Sequence, residues 1–172
     1  MNKIIKYLIV FMFLPSLSLS EQIKININAI VIERSCTISN NSINLLVTLD
    51  SNDLKEKWVG IPFTKTPFSI VLENCPKDIS SAHITFTGES DTTMTNFLKN
   101  LDKTSSSANN IAIGIYDSNQ NVIDLNNNLT TLDVDHSLVN NVFRFYASYI
   151  ITSNNPSAGK VISVANFELS YD

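Results

Sequence analysis

From residue 67 to the end of the chain, apolar and polar residues alternate with a period of two, and that period means strands. In 67–72, Phe68, Ile70 and Leu72 share one face. In 82–88, Ala82, Ile84 and Phe86 oppose His83, Thr85 and Thr87. Ile111, Ile113 and Ile115 alternate with Ala112, Gly114 and Tyr116. Over 142–151, Phe143, Phe145, Ala147, Tyr149 and Ile151 alternate with Arg144, Tyr146 and Ser148. A last strand is expected over 160–171, with Ala165, Phe167, Leu169 and Tyr171 on one face and Asn166, Glu168 and Ser170 on the other. Between these runs lie Asn, Ser and Asp clusters, such as 126–128 and 153–156, which is turn and loop chemistry. Residues 117–121 read as a hairpin turn leading into 122–125. The single helix expected is short, around 93–101, with Met94, Phe97, Leu98 and Leu101 turned inward. Many short strands with few helices indicate an all-β sandwich, with no internal repeat and no linker composition.

The N-terminus carries an export signal. Lys3 and Lys6 form a basic start, residues 7–14 an apolar run, and Pro15 ends it before the small residues Ser18 and Ser20. That is a secretory signal peptide over 1–20. As a membrane anchor the run falls far short of the roughly 20 residues a bilayer requires, and no span is expected in the mature chain. Removing twenty residues and two lysines from a 172-residue chain of net charge −4 leaves 152 residues of net charge −6. That length suits one domain. The acidic balance argues against nucleic acid and against anionic membrane surfaces as partners.

Cys36 and Cys75 are the two cysteines. Behind a signal peptide, an even count suggests one disulfide. Two buried thiols or a metal pair are the alternatives, but His83 and His136 stand apart, so a metal site lacks further ligands.

The segment 21–32 is the most informative. Ile23, Ile25, Ile27, Ala29 and Val31 form an apolar stripe opposite Lys24, Asn26 and Asn28. Residues 29–32 then become apolar on both sides, as a strand buried in a sandwich would be. A terminus normally frays and is polar. This stripe either pairs within its own sheet or inserts into another molecule.

Catalytic constellations are not evident. No Gly-x-Ser-x-Gly, phosphate loop or His-Glu-x-x-His occurs, and the acids are scattered. His136 sits in a polar loop with Asp133 and Asp135, and His83 points outward from a strand. Trp58 reads as a packing anchor rather than a sugar platform. Neither an enzyme nor a cofactor is expected.

Several stretches, taken in order, carry a family resemblance: Cys-Thr-Ile-Ser at 36–39, Pro67 to Leu72 leading to Cys75-Pro76, and Ile84 to Gly88 with Asp91. Ile113 to Asp117, Phe143 to Ala147, and Ala165 to Asp172 with its tyrosine second from the end complete the set. The mature chain resembles the minor subunits of type 1 pili assembled by the chaperone–usher pathway. Its short extension is more similar to the tip-fibrillum adaptors than to the major shaft pilin, which stays an alternative, as does a self-complete secreted binding module. The resemblance implies an incomplete immunoglobulin-like sandwich lacking its seventh strand, with a donor-strand extension over 21–32 and a pilin domain over 33–172. It implies a groove bordered by the last strand, with Ala165, Phe167, Leu169 and Tyr171. It implies partners too: a periplasmic chaperone, an outer-membrane usher, and neighbouring pilin or adhesin subunits. Ile23, Ile25, Ile27, Ala29 and Val31 would then be donor residues, and the Asp172 carboxylate an anchor on the chaperone. The expected location is a surface fimbrium reached through the periplasm.

Overall fold

The computed structural model describes residues 35–171. The donor stripe and Asp172 lie outside the described residues. Eight strands follow one another: β1 (Thr37–Ile38), β2 (Phe63–Glu73), β3 (Ser81–Gly88), β4 (Ile111–Tyr116), β5 (Val122–Ile123), β6 (Thr130–Asp133), β7 (Asn140–Ile151) and β8 (Ala165–Tyr171). A 3-10 turn at Asn40–Ser42 follows β1. The strands form two sheets, β1-β2-β7-β4-β5 and β6-β3-β8, antiparallel throughout.

The alternation explains how the sheets stack. In β2 and β7, Ile70, Leu72 and Phe145 point to one side, and from β3 Ala82, Ile84 and Phe86 meet them. Phe145 lies between the layers, stacked on Phe68 at 5.6 Å and edge-on to Phe86 at 5.2 Å. Such aromatic pairs add about 0.5–1.5 kcal/mol beyond area burial. On the opposite face of the larger sheet, Ala112, Tyr116 and Ile150 are buried under Phe97. β4 and β7 are therefore covered on both sides, which is why Ala112 and Tyr116 are buried although they alternate with the core isoleucines.

The expected helix at 93–101 does not form. The backbone N–H groups of Thr93 and Met94 both donate to Asp91 Oδ1 at 2.9 Å, making a tight turn. Leu98 then bonds to β4: its N–H donates to Ile113 O at 2.8 Å, and Ile113 N–H returns the bond at 2.9 Å. Phe97 belongs to the outer cluster and Leu98 to the main core. Two consecutive side chains buried in different clusters fit an extended backbone, whose side chains alternate, rather than one face of a helix.

The last strand also differs from expectation. It begins at Ala165, not at residue 160, and 161–164 run on outside the sheet. β2 carries a register shift between Phe63 and Thr66, with Thr64 at φ +55°. Trp58 is no packing anchor: it is 72% exposed in the loop before β2.

Candidate functional site: an open groove along the last strand

β8 pairs with β3 on one edge only; its other edge has no partner strand among the described residues. A groove of about 800 Å³ runs along that edge. One wall is the non-strand segment 43–49; the other is 161–167, and the floor includes Phe68, Ile70, Phe86 and Ile115. That floor belongs to the core shared by the two sheets. The core is thus reachable from the side where a further strand would lie. The walls are apolar as well: Leu46 is 88% exposed, and Ile43, Ile162 and Val164 are also exposed.

Both ends of the free wall are tied down. Near its start, Cys36 and Cys75 form a disulfide of 2.09 Å that joins the entry of β1 to the loop after β2. Ser39 N–H donates to Val71 O, and Val71 N–H donates to Ser42 Oγ, both at 2.9 Å. The Tyr171 hydroxyl reaches Cys36 O at 3.4 Å, and the Tyr149 hydroxyl reaches Leu49 O at 3.5 Å. Burial raises both phenols; the Asp50 carboxylate raises Tyr149 further, and the Cys36 backbone partly offsets the rise at Tyr171.

The structure brings Phe167, Leu169 and Tyr171 together on the core face of β8, each half-buried, while Ala165 at the strand's start is exposed. The histidines are held structurally: His83 Nδ1 lies 3.2 Å from Thr131 Oγ1, and His136 Nε2 lies 2.9 Å from Ile79 O. Among the described residues no three His, Cys, Asp or Glu side chains converge as metal ligands. The wall 43–49 escaped the periodicity reading because Leu45, Leu46 and Val47 run consecutively without alternation. Its signal was an apolar run between two polar stretches.

Two stacked antiparallel sheets, with a core open along one edge strand, define an incomplete immunoglobulin-like sandwich. Residues 22–172 match the family model described as "Fimbrial protein", and the chain belongs to that family, one of structural subunits rather than enzymes. The chain is 28% identical over 157 residues to the fimbrial-like protein YdeS of Escherichia coli strain K12, covering 90% of this chain and 89% of that one. A solved antigen and type I fimbria protein of Burkholderia pseudomallei is similar at 27% identity and TM-score 0.59, with 79% of this chain and 88% of that chain covered. The P pilus rod subunit PapA shares the fold at 18% identity and TM-score 0.63, with 80% and 99% covered.

Proposed function

We propose that this chain is a structural subunit of a chaperone–usher adhesive fimbria, and that it polymerises by donor-strand exchange. The observation that carries this reading is the apolar groove beside the edge of β8 that has no partner strand among the described residues. An edge strand offers a row of backbone donors and acceptors, and an added strand satisfies them while its alternate side chains fill the pockets beneath. A neighbour's N-terminal segment fills the groove of this subunit. Its own residues 21–32 fill the groove of the preceding one, with Ile23, Ile25, Ile27, Ala29 and Val31 turned inward. Burying the three isoleucines and Val31 at roughly 1.5–3 kcal/mol each gives on the order of 6–12 kcal/mol before ordering costs. Before assembly, a periplasmic chaperone lends a strand to the same groove and holds the Asp172 carboxylate, and an outer-membrane usher hosts the exchange. No nucleotide is needed, because one strand replaces another.

Deleting residues 21–32 tests the reading. The truncated subunit should form a complex with the chaperone and accept a strand, yet fail to cap the preceding subunit. Normal polymerisation of the truncated chain refutes it. The minor, adaptor position rests on the short extension of residues 21–32. Quantitative mass spectrometry of isolated fibres should find a few copies per fibre; a number growing with fibre length places the chain in the shaft instead.

A further inference from the structure

β8 has seven residues, whereas the segment proposed as a donor has twelve. A strand paired with β8 alone spans about 23 Å at 3.3 Å per residue, and a twelve-residue donor overhangs it. The residues before β8 supply the missing length. Ile162 N–H donates to Asn100 Oδ1 at 3.0 Å, and Ile162 O accepts from Leu101 N–H at 2.7 Å. Both backbone groups of Ile162 thus turn towards the strip 99–101. That strip takes over where β3 stops, since Lys99 N–H donates to Glu89 O at 2.8 Å just beyond Gly88. Ser163 Oγ donates to Lys99 O at 2.8 Å, binding the two segments again. In extended chain, successive residues direct their backbone groups to opposite edges. By that alternation Val161 and Ser163 present theirs to the groove, which 161–164 line throughout. Continued in this way, an edge from Val161 to Tyr171 has eleven residues and spans about 36 Å, close to the reach of the donor.

Asn100 is the centre of this arrangement. Its amide nitrogen donates to Ser107 Oγ at 3.1 Å and to Ala108 O and Lys160 O at 3.0 Å. Its amide oxygen accepts from Asp102 N–H and Ile162 N–H, both at 3.0 Å. One side chain thus joins 100–102, 107–108 and 160–162 through both halves of its amide, which is chemistry that neither an alanine nor a carboxylate reproduces. Behind it, Lys160 N–H donates to Ser106 O at 2.8 Å, and Ala108 N–H donates to Lys160 O at 2.9 Å. Gly159 allows that approach: a Cβ there would stand 2.4 Å from Ser106 O and 2.5 Å from Ala108 N.

We propose that Asn100 is a positioning residue for strand capture, which holds 161–164 in line with β8 and so lengthens the acceptor edge to eleven residues. The proposal rests on the donor-strand reading. The test uses the mature full-length chain and three dye-labelled peptides of this sequence, residues 21–32, 21–28 and 25–32. The wild-type protein should release the twelve-residue peptide about tenfold more slowly than either eight-residue one. Asn100→Ala and Gly159→Ala should close that gap to about twofold while leaving the tighter short peptide unchanged. A persisting gap in both variants overturns the proposal, as does equal release of long and short peptides from the wild type. Equal acceleration of all three peptides also overturns it, because it marks general loosening. Capture of no peptide at all overturns the proposal, while the deletion of residues 21–32 tests the donor-strand reading separately. Should both variants fail to fold, hydrogen exchange on the wild type decides. Ile162 and Leu101 amides should be protected without peptide, and Val161 and Ser163 amides only once the long peptide is bound. Val161 and Ser163 amides that stay open under the long peptide overturn it.

Discussion

Replacing both Cys36 and Cys75 by alanine tests how the free wall of the groove is held. The disulfide spans 39 residues of chain. In the chain-entropy model, loop closure of that length removes about 13 cal/mol/K from the unfolded chain, or about 4 kcal/mol at 25 °C. Little else anchors this end. β1 pairs with β2 through two residues, Thr37 with Glu73 and Ile38 with Leu72. The further bonds from Ser39, Ser42 and Tyr171 are single contacts, each contributing about 1 kcal/mol net. The double variant should therefore lose about 4 kcal/mol. With an m-value of about 1–3 kcal/mol/M in urea, its midpoint falls by roughly 1.3–4 M. Equilibrium urea unfolding of the mature wild type and the variant reads this directly. Hydrogen exchange at Ser39 should accelerate in the variant more than exchange within β7. A loss below about 1 kcal/mol with an unchanged m-value refutes the loop-closure reasoning.

Two further outcomes follow from local structure. Tyr116 is buried, its hydroxyl has no hydrogen-bond partner among the described residues, and burial pushes the phenol up to about 12. An unfolded tyrosine ionises near 10, so the folded state keeps its proton longer. This contribution to stability is complete below pH 10 and declines as pH rises towards 12. Tyr116→Phe should flatten the alkaline decline in melting temperature without lowering stability at pH 7, and an unchanged alkaline decline contradicts it. Thr64 holds φ +55°, a conformation that a β-branched residue adopts at a cost. Thr64→Asn should raise stability by about 0.5–1 kcal/mol in a thermal melt, and a lower melting temperature counts against the strain argument.

The long strands were legible because each has one face in the core and enough residues to show it. β3 and β4 stand where the alternation places them, and β2 and β7 extend the expected runs by a few residues at their ends. The hairpin after Tyr116 also follows from local chemistry: Asp117 Oδ1 accepts from Asn121 N–H at 2.8 Å, closing the turn. β1 and β6 were not legible, since two to four residues cannot display a period, whereas β5 was reached only through the turn that precedes it. Residues 93–101 misled because apolar spacing at 94, 97, 98 and 101 suits a helix, while the actual partners of Phe97 and Leu98 lie in different layers. Of the groove, Phe167 was visible through the alternation of the last strand, whereas the 43–49 wall was not.

The sequence by itself determined the class of fold, the cysteine pair and the apolar stripe at 21–32, because alternation and composition are local properties of a chain. Only the tertiary structure decided that β8 is an edge among the described residues, that the core is open beside it, and that Asn100 ties 160–162 to 100–102. Those facts depend on which strands are neighbours and on hydrogen bonds such as that between residues 100 and 162, which no local pattern encodes.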